Sequence, residues 1–263
     1  MIKDQTLEYL AKALNSKDKQ TCILSAKSLY LASKTHEFGY DVLIELKEHT
    51  ENKIHDVAVY SSVAYTQVLA KLSSTEKPIM KSHIEFLPRI YVFEDLQLDE
   101  ESFADVVNKN ILYILRNESK YNIFDDHIFI IFNHILLFES CNQALAIEIL
   151  YNYSANKYSI PQDTIFALGN AISMPEISYQ ALRVLSNVIR NRQIVSEKFL
   201  LFLADNLSSS HDSQLGDELF ELLDIANDNQ DMSDEIFYIL ELERAIITIY
   251  SFPSDSNDAI SYV

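Results

Sequence analysis

Chemistry in this chain would have to come from a small set of side chains. Two cysteines, Cys22 and Cys141, and seven histidines occur in 263 residues. His127 and His134 lie seven apart, so they can share a helix face, and Asp125 and Asp126 stand just before them. Carboxylates and imidazoles that converge can hold a metal. Acids at a helix start, however, also sit where the free N–H groups and the positive dipole end favour them, and capping is the reading that fits here. No local pattern around Cys22 or Cys141 marks a thiol nucleophile paired with histidine. In a reducing cytosol both thiols are expected to be small buried hydrophobes. Phosphate chemistry needs a glycine-rich loop opening a helix, whereas Gly39, Gly169 and Gly216 stand alone. The expectation is a protein without catalytic residues, cofactor, metal or small-molecule substrate.

Two other sets of polar residues have a spacing that calls for explanation. Asn117, Asn152 and Asn187 recur at intervals of 35, and Asp217, Glu221, Asp224 and Asp228 line one side of a helical pattern. A side-chain amide offers two donors and an acceptor, which is what reading a peptide backbone requires. Like charges at i,i+4 each cost about 0.2–0.5 kcal/mol. An acidic row without a local Lys or Arg therefore reads either as a docking surface for a basic segment or as a solvated end cap. The formal net charge of −18 is concentrated at the end: Phe199 to Val263 holds 14 acidic residues and one basic residue, Arg244, while the residues up to Lys198 hold 25 and 20. Nucleic-acid binding needs clustered Lys and Arg, so that partner class is not expected.

The elements that position these residues follow from composition. Gly 3 and Pro 5, with 48% hydrophobic residues, leave too few turn-formers for a sheet-rich fold and point to helices joined by short polar turns. The richest apolar run, Ile128 to Phe138, is interrupted by Asn133 and His134. It falls short of the roughly 18 residues of a membrane span, so no membrane partner is expected. The start, Met-Ile-Lys-Asp-Gln, lacks a signal pattern, and a cytoplasmic location follows as an expectation.

Four segments align without gaps at equal intervals of 35: residues 111–117, 146–152, 181–187 and 216–222. Between them a second pattern opens with an acid or serine suited to an N-cap and continues with an apolar pair. These are Asp126 with Ile128 and Phe129, Asp163 with Ile165 and Phe166, Ser196 with Phe199 and Leu200, and Ser233 with Ile236 and Phe237. Each unit thus holds two helices, A and B, whose apolar stripes are buried only when units stack. Helical spacing also marks Leu7–Leu14, Ile23–Leu31, Tyr40–Leu46, Val57–Leu72 and Ile79–Val92. Pro78 suits a helix start, and Pro88 should kink or end its helix.

The stretch from Ile160 to Asn191 resembles an armadillo repeat. The second helix of such repeats ends in a pattern like Ala-Leu-x-x-Leu-x-Asn-Leu, matched here by Ala181, Leu182, Leu185, Asn187 and Val188, with Asn152 and Asn117 in the same register. The resemblance implies that these asparagines form a ladder along a concave groove, hydrogen-bonding an extended peptide. An alternative stays open, in which they cap helix ends or bridge to neighbouring loops. At about 100° per residue, Ala181, Leu185, Val188 and Ile189 fall on one side of the helix and Arg183, Asn187 and Arg190 on the other. Family grooves carry Trp one turn before the ladder Asn; those positions are Tyr113, Glu148 and Arg183 here, and the chain has no Trp. The 35-residue period is close to that of HEAT repeats.

The fold expected is therefore all-α, a right-handed α-solenoid of armadillo/HEAT-like two-helix repeats forming a single domain over residues 1–250. Residues 1–97 would be degenerate repeats and cap, 98–250 regular repeats, and 251–263 a loose tail. Ser261, Tyr262 and Val263 resemble a PDZ-binding carboxyl terminus, or are an ordinary loose end. The function expected is that of an adaptor or chaperone-like scaffold that binds another protein, an extended or basic segment, on the B-helix face. Alternatives are an inhibitor or immunity-type protein occluding a basic partner, a regulatory subunit and, more distantly, a HEAT-like nucleic-acid base hydrolase.

Overall fold

The structure, a computed structural model, describes residues 4–75, 79–91, 103–139, 141–209 and 213–251, with the side chains of 208, 209, 213 and 246–251 excepted. Among these residues every regular element is an α-helix. Two compact units divide the chain, Met1–Asn156 and Lys157–Val263. The boundary lies between two of the 35-residue segments.

The first unit holds α1 (Asp4–Ala13), α2 (Lys19–Ser33), α3 (Tyr40–His49), α4 (His55–Ser73), α5 (Lys81–Ile84), α6 (Leu87–Ile90), α7 (Phe103–Glu118), α8 (Asp126–Phe138) and α9 (Gln143–Ala155). Asp18 caps α2, accepting from Thr21 N at 2.9 Å. The run expected over Ile79–Val92 breaks into two short helices, with Pro88 in the first turn of α6, where its missing N–H costs nothing. Pro78 lies outside the described residues. Helices α1 and α2, α3 and α4, and α8 and α9 pack as pairs. The second members stack on one another in the order α2, α4, α7, α9, and α1 packs on α3 and α6 on α8. Burial of Leu29, Leu46, Leu69, Ile111, Leu115, Ile135 and Leu150 at 0% exposure fills the space between these rows.

The second unit holds α10 (Gln162–Ile172), α11 (Ser178–Arg190), α12 (Glu197–Ser209), α13 (Ser213–Asn229) and α14 (Asp234–Ser251). Pairs form between α10 and α11 and between α12 and α13; α11 stacks on α13, and α12 lies against both α10 and α14. The four equally spaced segments fall on α7, α9, α11 and α13, and the intervening patterns on α8, α10, α12 and α14. The caps differ from expectation in detail. Asp125, not Asp126, caps α8. Pro161 precedes α10, with Asp163 inside its first turn. Ser196 Oγ accepts from Phe199 N at 3.3 Å, as a cap should. Ser233 Oγ is buried and unpartnered.

Close approach inside the second unit depends on a missing side chain. A Cβ on Gly169 would lie 2.7 Å from Phe199 Cε2 and 3.0 Å from Phe202 Cε1, so only glycine lets α10 meet α12 at this distance.

Each pair from α8 to α13 is closed at its base by a side chain. The buried residue leading into the first helix presents a backbone N–H that hydrogen-bonding secondary structure does not use. Phe124 N donates to Tyr153 Oη at 3.2 Å. Ile160 N donates to Gln193 Oε1 at 2.9 Å, and Gln193 Nε2 donates back to Ile160 O at 2.5 Å. Val195 N and O make the same two bonds with Gln230, at 3.0 and 2.9 Å. Before α7, Ile79 N donates to the Glu118 carboxylate at 3.2 Å. The turn after α11 aims Gln193: Arg192, at φ 59, is left-handed, Arg192 N donates to Ile189 O and Gln193 N to Val188 O, a Schellman termination. Lys157, at φ 63, holds the corresponding place after α9, 35 residues earlier.

Candidate protein-interaction faces

The residues singled out by spacing lie on α7 and α9 of the first unit and on α11 and α13 of the second. On α7, Tyr113 is 42% exposed. Arg116 reaches across to α9 and donates to Glu148 Oε1 from Nε at 2.8 Å and Nη2 at 2.6 Å. Glu148 is therefore already held by a fork of two charge-assisted bonds, and Tyr113 lies one turn from the guanidinium. Both partners are about half exposed, so the pair orders the face more than it stabilises the fold.

The three asparagines are half-buried, deeper than the helical wheel predicts for a row facing away from the core. Asn117 Nδ2 donates to Ser73 Oγ on α4 at 3.1 Å, and Asn110, two turns earlier on the same stripe, donates to Thr66 Oγ1 at 3.3 Å. In the first unit these amides join neighbouring B helices. The carbonyls of Asn152 and Asn187 accept from Asn156 N and Asn191 N where their helices end. At the same register α13 carries Leu222, 3% exposed, so the asparagine column ends there.

In the second unit α11 and α13 border a groove of about 230 Å³ lined by Arg183, Ser186, Arg190, Glu218, Glu221 and Ile225 among others. Arg190 Nη2 donates to Glu221 Oε1 at 2.7 Å. Of Leu215, Leu219, Leu222 and Ala226, whose helical spacing on α13 predicts a shared apolar face opposite the acids, the last three are buried and Leu215 is half-buried.

The acidic row on α13 is not unrelieved. Glu221 is paired with Arg190 of α11, and Asp224 with Arg244 of α14, which also binds Glu241. The cations come from other helices, which is why local sequence shows none. Asp217 and Asp228 remain exposed, and no ion pair joins them to a cation among the described residues.

Sequence reasoning missed an aromatic cluster. Tyr30 of α2, Tyr60 of α4 and Phe103 of α7 are half-buried and meet with centroid separations of 5.7, 5.8 and 5.6 Å, with Lys34 Nζ 4.5 Å from the Tyr30 centroid. Phe103, Asn110 and Asn117 occupy one stripe of α7, seven residues apart each time, and that spacing is the signal in the sequence.

The residues weighed for chemistry have separate structural partners. Asp125 Oδ1 accepts from His127 N at 3.0 Å and lies 2.5 Å from His127 Nδ1; these two bonds, backbone first, hold its carboxyl below the usual range. His134 Nε2 instead lies 3.3 Å from Glu139 Oε1, which also accepts from Tyr91 Oη at 2.8 Å. Among the described residues no group of three His, Cys, Asp or Glu is placed to hold a metal. Cys22 is buried, its Sγ donating to Ser16 O at 3.1 Å, but Cys141 is exposed, contrary to expectation, because it falls in the turn between α8 and α9. No helix among the described residues is long and apolar enough to cross a membrane. The helix α14 runs to Ser251, one residue past the expected boundary; the remaining tail, with Ser261, Tyr262 and Val263, lies outside the described residues.

No family model and no curated protein matches the chain. It is similar to an engineered protein of known crystal structure at 18% identity, over 87% of this chain and 99% of that one, with a TM-score of 0.42. A likeness of that looseness carries no argument about function.

Proposed function

We propose that the chain is a non-enzymatic, cytoplasmic adaptor or chaperone-like scaffold, a right-handed solenoid of armadillo/HEAT-type repeats that holds a segment of another protein against its B helices. The observation that supports this most is the register of the B helices. Segments spaced by 35 residues put Tyr113, Glu148 and Arg183 at the same register position of their own B helices, beside Arg116 in the first unit and beside Arg190, Glu218 and Glu221 in the second. Aromatic and Arg side chains among paired charges suit a face that binds protein, where a few anchors carry most of the affinity.

The test is quantitative affinity capture with the full chain and with Tyr113→Ala, Glu148→Ala and Arg183→Ala combined, read by mass spectrometry. A partner recovered by the parent should fall by about tenfold or more with the variant, since anchors are each worth about 1 kcal/mol or more. Partners recovered equally by both would refute the assignment of this face. A second reading, occlusion of a basic partner by the acidic surface of the second unit, is favoured by Asp217 and Asp228. It predicts that Asp217→Asn with Asp228→Asn weakens the same partner chiefly at low salt.

A further inference from the structure

The solvent side of α14 has the character of a stacking surface. Its inner face is completed by Ile236 and Leu240, 0% and 1% exposed, against α12 and α13. Its outer face carries Phe237, Tyr238 and Leu242 at 49%, 70% and 49% exposure. Tyr238 and Leu242, a turn apart, form one apolar strip, and Phe237 lies about 100° round the helix from Tyr238, beyond Asp234 and Glu241.

Comparison with α12 shows what such a position does inside the stack. Ser196, Phe199 and Leu200 of α12 correspond to Ser233, Ile236 and Phe237 of α14. Phe199 and Ile236 are alike in being fully buried, but Leu200 is 0% exposed where Phe237 is half exposed. Helix α12 packs on both α10 and α14, whereas the principal neighbours of α14 among the described residues are α12 and α13. Phe237 thus stands half exposed at the position where α12, with neighbours on both sides, keeps a leucine buried.

Charge decides what kind of helix that is. Asp234, Glu235 and Glu241 are exposed beside the strip. The cation on this stretch of α14, Arg244, is engaged by Asp224 and Glu241. A second copy of the chain would bring the same acids to face their own kind, and a neutral apolar helix would leave them uncompensated. We propose that the outward face of α14, built on Tyr238 and Leu242 between Asp234 and Glu241 on one side and Glu235 on the other, with Phe237 at its edge, docks an amphipathic helix of another protein whose apolar stripe is bordered by Lys or Arg. The proposal rests on the reading of the chain as a protein-binding scaffold and moves its acidic docking surface from α13 to α14.

The probe is a fluorescein-labelled amphipathic helical peptide of leucine and lysine, titrated against the full chain by anisotropy. A scrambled peptide of the same composition and charge serves as the control. Binding of the amphipathic peptide should weaken about tenfold or more in Phe237→Ser/Tyr238→Ser/Leu242→Ser, and should lose much of its salt dependence in Asp234→Asn/Glu235→Gln. All five positions are exposed, and circular dichroism checks that the variants fold. The proposal predicts unchanged peptide binding in the Tyr113→Ala/Glu148→Ala/Arg183→Ala variant, so failure of the B-helix face and failure of this one are separable. Equal binding of the two peptides, or equal affinity with and without the apolar strip, would overturn it. So would self-association of the parent chain in sedimentation that the triple serine variant abolishes, which would assign the face to a second copy. Tighter peptide binding after deletion of residues 252–263 would assign it to the chain's own end, and would also overturn it.

Discussion

Replacing Gly169 with alanine adds one methyl group where two helices meet, and its effect follows from competing terms of known size. In an exposed helix the change would help, since alanine is about 0.8–1.0 kcal/mol better than glycine. Here the new Cβ would stand 2.7 Å from Phe199 Cε2 and 3.0 Å from Phe202 Cε1. Carbon contacts are ordinarily about 3.5–4.0 Å, so the overlap with the Phe199 ring is roughly 1 Å. That ring cannot swing away freely: it is fully buried, edge-on to Phe166 at 5.4 Å and stacked with Phe202 at 6.2 Å. Overpacking of this kind costs about 1–3 kcal/mol. With two rings resisting, the upper half of that range applies, and Gly169→Ala should destabilise the second unit by about 1–2 kcal/mol net. Urea unfolding, with hydrogen exchange on α10 and α12 to localise the loss, measures it. Trimming the ring with Phe199→Leu should remove the overlap, so that alanine becomes neutral or favourable by up to about 1 kcal/mol in that background. If Gly169→Ala stabilises the parent chain and shows no coupling to residue 199, the helices are not in the contact described and the reasoning fails.

The base clamps give a second expectation: Gln193→Leu or Gln230→Leu strands a buried N–H and C=O, of Ile160 or Val195, and should cost about 1–3 kcal/mol in the same unfolding assay. Glu118, 1% exposed, accepts from Ile79 N and Asn122 Nδ2, yet burial pushes its carboxyl above the ordinary value. A raised folded value means that the folded state holds the proton longer. Stability should fall as pH climbs from the unperturbed glutamate value, about 4.3, through the folded one, and Glu118→Gln should flatten that part of the urea-midpoint profile. Arg192 and Lys157 are left-handed without being glycine. Arg192→Gly and Lys157→Gly should each raise the thermal midpoint, by an amount equivalent to about 1 kcal/mol, and a drop would show that their side chains matter more than backbone strain.

The parts of this structure legible in sequence are those set by neighbours in the chain. Segments spaced by 35 residues mark the B helices because each carries its own apolar face, and Pro88 announces a helix break because its ring acts on the preceding turn. What escaped sequence reasoning depends on partners far along the chain. Asn117 looks like a free polar column until Ser73, 44 residues away, takes its amide. The acidic row on α13 looks unrelieved until Arg190 and Arg244 arrive from other helices. Gln193 and Gln230 stand 37 apart while their partners Ile160 and Val195 stand 35 apart, because α13 is longer than α11, so a fixed period hides the shared clamp. The Tyr30, Tyr60 and Phe103 cluster draws one ring from each of three helices, so its only local trace is the seven-residue spacing of Phe103 from Asn110 on α7.

The central claim is that the B-helix face, and not the outer side of the A helices, meets the partner. Site-specific photo-crosslinking tests it most directly, with a benzophenone side chain placed singly at Tyr113, Arg183, Ile130 or Leu137. The last two are exposed on α8, an A helix, at 51% and 45%. Crosslinks to a common protein from positions 113 and 183, and none from 130 and 137, are the predicted result. Crosslinks from 130 and 137 with none from 113 and 183 would contradict the account.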